Sequence, residues 1–121
     1  MILVDTAVWI DHLRTGEPGL GSLLERSAVL AHPWVTGELA LGHLRETDEL
    51  LGLLGHLPQA TVATVAELAT FIDRHELAGA GIGYVDAQLL AATALTADTR
   101  LWTRDRLLLA VAERLGVAYR S

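Results

Sequence analysis

Met1-Ile2-Leu3-Val4-Asp5-Thr6-Ala7-Val8-Trp9-Ile10 opens the chain. Ile2, Leu3 and Val4 form a short, unbroken apolar run that stops at a carboxylate and a hydroxyl, and such a run reads as a buried strand. From Ala7 to Leu13 the spacing turns helical, with Val8, Trp9 and His12 or Leu13 on one side. A strand that hands an acid to the start of a helix is the first unit of an α/β sheet.

The same alternation recurs downstream. Gly16-Glu17-Pro18-Gly19 reads as a loop, Leu20 to Arg26 as a helix, and Ala28 to Ala31 as a second strand ended by His32-Pro33. Thr36 to Arg45 follows as a helix with Leu39, Leu41 and Leu44 among its apolar positions, then Thr47 to Gly55 as another. Thr64-Val65-Ala66-Glu67 matches a capping box and opens a helix that runs to about Leu77, where Gly79 can close it. Gly81 to Gly83 is hinge-like, and Tyr84 to Leu95 is a strongly apolar helix expected to be almost wholly buried. Leu101-Trp102-Thr103 is a strand followed by Arg104-Asp105. Arg106 to Leu115 is a helix with Leu107, Leu108, Val111 and Leu115 as its stripe, and Val117 to Tyr119 is a last short strand. These elements predict one α/β domain over residues 1–121: a three-layer α/β/α sandwich around a central, mainly parallel sheet.

Composition narrows the chemistry. The 121 residues contain no cysteine, which closes disulfides and thiolate metal sites and fits a reducing, cytoplasmic setting. The nine basic residues are all arginine, so mechanisms that need a lysine are closed. A net charge of −6 argues against a general nucleic-acid-coating protein but not against an enzyme that meets RNA locally. The hydrophobic fraction is 51%, yet Leu50 to Ala66, the longest charge-free segment, contains His56, Pro58 and Gln59. No stretch reaches the roughly 20 apolar residues of a membrane span, and the opening residues do not read as a secretion signal. The surplus apolar surface is expected to meet a protein partner.

In open α/β sheets, sites form beyond the carboxyl ends of the strands. Asp5 and Asp105 directly follow two predicted strands, while Glu38 and Asp86 lie near the starts of two helices. Each has a plain alternative role, Asp5 and Asp105 as helix caps and the other two as first-turn acids. Asp86, set among Tyr84, Val85, Ala87, Leu89 and Leu90, is the hardest to explain that way, because an uncompensated carboxylate there is costly. A bound cation would compensate it. Oxygen ligands without cysteine suit Mg²⁺ or Mn²⁺ rather than zinc, and phosphodiester hydrolysis is the reaction such a site serves. His12, His32, His43, His56 and His75 form no ligand pair and are expected at the surface or lining helices. Asp98, in an Ala97-Asp98-Thr99 turn, is the nearest competitor to the four acids. Asp11, Glu17 and Asp73 read as solvated.

Four segments carry a family resemblance: Ile2 to Ile10, Thr36-Gly37-Glu38-Leu39-Ala40-Leu41-Gly42, Tyr84 to Ala92, and Leu101-Trp102-Thr103-Arg104-Asp105. In this order and spacing, across essentially the whole chain, the sequence resembles the PIN-domain ribonucleases, specifically the VapC-type toxins of toxin–antitoxin pairs. The resemblance implies a PIN-like fold and an endoribonuclease dependent on Mg²⁺ or Mn²⁺. Asp5, Glu38 and Asp86 would then form the metal cage, and Asp105 would complete it or position water. Thr6 and Thr103 would orient these groups through their hydroxyls, with ordinary capping as the alternative. Arg104 and Arg106 would contact RNA phosphate or remain solvated or ion-paired. It also implies a homodimer and a cognate antitoxin whose tail covers the site, with a basic side chain reaching toward Asp5 and Asp86. Arg106-Leu107 depart from the further acid and aromatic residue that often follow the family's last acid. Two other functions fit an α/β chain with strand-end acids. A PIN-like interaction protein without activity would not need all four carboxylates, and a phosphotransfer or receiver domain would normally supply a lysine.

Overall fold

The computed structural model describes residues 1–42 and 47–120. Three parallel strands form the sheet: β1 (Ile2–Val4), β2 (Val29–Leu30) and β3 (Arg100–Trp102), in the order β2-β1-β3. Ile2 pairs with both Val29 and Arg100, and Val4 with Trp102. Single bridges widen the sheet, Gln59 beside Ala31 and Ala118 beside Leu101. The first half of the chain therefore builds outward on one side of β1 and the second half on the other. The direction of winding reverses at β1, and a crevice opens where neighbouring connections leave in opposite directions.

Among the described residues, seven helices surround the sheet: α1 (Thr6–Thr15), α2 (Pro18–Glu25), α3 (Pro33–Leu41), α4 (Thr47–His56), α5 (Val65–Arg74), α6 (Tyr84–Leu95) and α7 (Arg106–Arg114). Successive strand residues point to opposite faces, yet Ile2, Leu3 and Val4 are all buried, as are Leu101 and Trp102. Both faces of the sheet are therefore covered, as helices on two sides require. This is the small α/β architecture that the alternation of elements predicts, and it is consistent with the PIN-like fold that the resemblance implies. No described helix is long and apolar enough to cross a membrane.

Several expectations change in detail. Helix α3 starts at Pro33 rather than Thr36, because a proline fits the first helical position and His32 caps it through Nδ1, which accepts from the Trp34 N–H at 3.0 Å. Glu38 therefore lies in mid-helix instead of the first turn. The expected extension of this helix to Leu44 and Arg45, and His43, fall outside the described residues. Pro18 likewise opens α2 rather than lying in a loop. Leu41, expected on an apolar face, is 86% exposed. Leu107 is exposed as well, because the buried stripe of α7 runs through Leu108, Val111 and Ala112, about 100° away around the helix. Its side chain lies instead on Gly81, which has a left-handed φ of +83° and where an added Cβ would come within 2.9 Å of Leu107 Cδ1. Tyr84 and Leu95 are the exposed ends of the otherwise buried α6, and the expected last strand shrinks to the bridge at Ala118. His32, expected at the surface or lining a helix, is fully buried at the start of α3, and burial lowers its pKa while Gln88 opposes this.

Candidate functional site

The β1–β3 register sets the site. Val4 pairs with Trp102, so the next residues, Asp5 and Thr103, leave the sheet side by side at its carboxyl edge. The Asp5 N–H donates to the Trp102 carbonyl at 2.9 Å, which carries the pairing one step beyond the strands. The Thr103 hydroxyl then donates to Asp5 Oδ2 at 2.7 Å, and the Thr6 N–H donates to Oδ1 at 2.7 Å. Asp5 is only 8% exposed and caps α1, so its capping and site roles coincide.

Two further acids reach this position from the helices. The Thr6 hydroxyl donates to Glu38 Oε1 at 2.6 Å, which ties α1 to α3. Asp86, in the first turn of α6, accepts the Gly83 N–H on Oδ2 at 3.0 Å. Burial pushes the Asp5 carboxyl above its ordinary value. The hydrogen bonds from Thr103 and Thr6 oppose this, and the charges of Asp86 and Glu38 push it further up. Asp5, Glu38 and Asp86 thus share one electrostatic neighbourhood.

Asp105 is joined less directly. Its N–H donates to Thr103 Oγ1 at 3.1 Å, one relay from Asp5, while its Oδ1 accepts the Leu108 N–H at 2.9 Å and caps α7. Its charge is not among those that raise Asp5. Among the described residues, no three acidic or histidine side chains stand in an arrangement that encloses an ion. The four carboxylates collect at one edge with their oxygens turned to hydroxyl and backbone donors.

The arginines separate. Arg104 pairs with Asp11 at 3.1 Å and with Glu17, and its guanidinium lies 5.9 Å from the Trp102 ring centroid. Asp11 and Glu17 are therefore ion-paired rather than simply solvated. Sequence reading misses this because the partners stand more than 85 positions away from Arg104. Arg106 is exposed and makes no ion pair among the described residues. Asp98 sits in a left-handed turn before β3, at the opposite end of that strand from Asp105, which removes it as a competitor. Trp9 is core, fully buried, while Trp34 stands half-buried against Tyr84.

Fold and site together define an α/β protein with carboxylates gathered where the winding of a parallel sheet reverses. No known family profile matches the chain. Two curated relatives do. Both are described as Ribonuclease VapC32 of Mycobacterium tuberculosis, one from strain CDC 1551 / Oshkosh and one from strain ATCC 25618 / H37Rv. Each is 47% identical over 118 residues, covering 98% of this chain and 95% of the relative. The chain belongs to the VapC ribonuclease family.

Proposed function

We propose that this protein is a Mg²⁺- or Mn²⁺-dependent endoribonuclease in a single PIN-like domain, acting as the toxin of a toxin–antitoxin pair. Asp5, Glu38, Asp86 and Asp105 hold the cation in this reading. The observation that carries it is Asp5, a buried carboxylate that Asp86 and Glu38 burden with further negative charge. Like charges held together at a sheet edge cost stability unless a cation balances them.

The donor set fits a hard divalent cation. A carboxylate offers about four lone-pair sites, so hydrogen bonds to Asp5 leave others open. Glu38 Oε2, Asp86 Oδ1 and Asp105 Oδ2 accept no hydrogen bond among the described residues. When bound, Mg²⁺ supplies charge against a phosphate oxygen and lowers the pKa of a water. The protein supplies the orientation. Thr103 fixes Asp5, Thr6 fixes Glu38, and Gly83 draws Asp86 to the head of α6. Such outer contacts aim the ligands and tune their basicity.

RNA is the proposed substrate and a neighbouring small protein the proposed antitoxin. Leu41 and Leu107 are exposed on the helices that carry Glu38 and follow Asp105, and they offer an amphipathic segment apolar cover beside the acids. A guanidinium matches a carboxylate in geometry and charge, so a basic side chain from that segment can stand in for the cation. A homodimer belongs to the same proposal.

The test is cleavage of RNA with Mg²⁺ or Mn²⁺, and after EDTA, beside calorimetric titration of each cation into cation-free protein. Cleavage that needs the cation, with binding lost in Asp86→Asn, is the expected result. Undiminished cleavage in EDTA sinks the metal site. Absence of cleavage with intact cation and partner binding makes the protein an interaction module instead.

A further inference from the structure

We propose that Trp34 and Tyr84 form a stacking platform for an unpaired RNA base beside the cleavage site. The proposal rests on the ribonuclease reading above and deepens it.

The chain has six aromatic residues, and four are committed elsewhere. Trp9 is fully buried, Trp102 is buried against Tyr119, and Phe71 packs on His75. Trp34 and Tyr84 differ. Tyr84 is 54% exposed, Trp34 is half-buried, and their ring centroids lie 5.9 Å apart at 37°. At that distance and tilt neither ring covers the other, so aromatic face remains for a third planar group.

Their position ties them to the acids. Trp34 lies four residues before Glu38 on α3, on the same helical face and just over one turn away, about 6 Å along the axis. Tyr84 is the first residue of α6, two before Asp86. The buried His32 ring meets Trp34 edge to face, with centroids 6.1 Å apart at 84°, and His32 Nδ1 accepts the Trp34 N–H, which fixes the backbone that carries the indole.

Charge explains why stacking is needed. The chain carries net charge −6 and no lysine, and Arg104 is spent on Asp11 and Glu17. Counterion release, the usual source of affinity for RNA, is therefore weak here. A π-face binds a nucleobase without charge and tolerates every base, because each base has one. It also demands a base free of its duplex, which selects single-stranded or looped RNA.

The experiment measures kcat and KM on a single-stranded RNA with Mg²⁺, using that RNA and copies with one abasic nucleotide at each position near the cleaved bond. For the wild-type protein, one abasic position is expected to raise KM about tenfold, within the range of one stacked base, with kcat nearly kept. Trp34→Ala and Tyr84→Ala each raise KM on intact RNA, and neither shows a further penalty at that abasic position. Trp34→Phe, which keeps an aromatic face, recovers most of the loss. Intrinsic fluorescence adds a second readout: RNA quenches the half-buried Trp34, and the quench disappears in Trp34→Phe. Should Trp34→Ala fail to fold, the exposed Tyr84→Ala carries the test. Cleavage indifferent to both rings, or abasic penalties that add in full to those of the variants, overturns the platform alone. Normal cleavage with loss of antitoxin binding assigns the rings to a protein contact and overturns it too. A wild-type protein that cleaves no RNA overturns the ribonuclease reading along with it.

Discussion

At the β1–β3 seam, Asp5 is buried, both its oxygens accept hydrogen bonds, and its neighbours are strands locked in register. At the α3–α6 rim, Glu38 is exposed, Asp86 is half-buried, and each accepts one hydrogen bond. The seam is preorganised and pays for it in desolvation, since burial is the largest cause of the raised Asp5 pKa. The rim keeps more solvated carboxylates, Glu38 in the middle of α3 and Asp86 in the first turn of α6. In the proposed metal site this division would supply one fixed carboxylate at the seam and two less constrained ones at the rim.

The largest expected effect tests whether the seam dominates. Asp5→Asn keeps the shape and the cap but removes the buried charge, and RNA cleavage should fall about a hundredfold or more, the scale of losing one preorganised electrostatic partner. Asp86→Asn should fall nearly as far. Asp73→Asn, at an exposed position, and Asp11→Asn, which loses only a half-exposed ion pair with Arg104, should stay within about twofold, because such pairs contribute little. Equal losses for Asp11→Asn and Asp5→Asn in the same cleavage assay would erase the distinction between site and surroundings.

The hydroxyls sharpen the comparison at smaller scale. Thr103→Val removes the donor to Asp5 Oδ2 in a buried place, and cation affinity by calorimetry should drop about 10- to 100-fold. Thr6→Val acts on the exposed Glu38 and should cost less, toward the lower end of that range. A larger loss for Thr6→Val would make the rim, not the seam, the organising half.

The smallest effect is on stability. The folded Asp5 pKa lies above its ordinary value near 3.8, so in EDTA the folded chain holds this proton to higher pH than the unfolded one. The stability it contributes is full below the unfolded value and is lost as pH rises through the folded one. Asp5→Asn lacks that loss. In EDTA near neutral pH its melting midpoint should exceed that of the wild type by about 2–5 °C, with the gap closing toward pH 4. Mg²⁺ should raise the wild type more than the variant, and Glu38→Gln should move the midpoint less. A gap that widens on acidification would contradict the buried-charge account.

Local signals in the sequence transferred well to the structure. The apolar run of β1, the Thr64–Glu67 capping box and the bounds of α6 all stand where short-range chemistry puts them. Asp5 after β1 and Asp86 in the first turn of α6 also stand where a strand end and a helix start put them, whereas Glu38 moves to mid-helix because α3 opens at Pro33. What could not be read is non-local. Proline is compatible with both a strand end and a helix start, so Pro33 was ambiguous until His32 was seen to cap. Leu107 continues the apolar pattern of its helix, and only the Gly81 loop across from it shows where it goes. The aromatic pair joins residues 50 positions apart on two helices, and no periodicity connects them.

The hydrogen bond from Thr103 to Asp5 spans 98 positions of chain, and this gives the protein a timetable. During synthesis β1 is made long before residues 100–102, which supply the partner on its second side. Until then Asp5 has neither the Trp102 carbonyl nor the Thr103 hydroxyl to hold it, and the edge where the acids meet does not exist. Closing so long a loop is slow compared with forming helices. A fragment of this chain that stops short of residue 103 therefore lacks the hydroxyl that holds Asp5 Oδ2 and leaves that carboxylate without its buried partner.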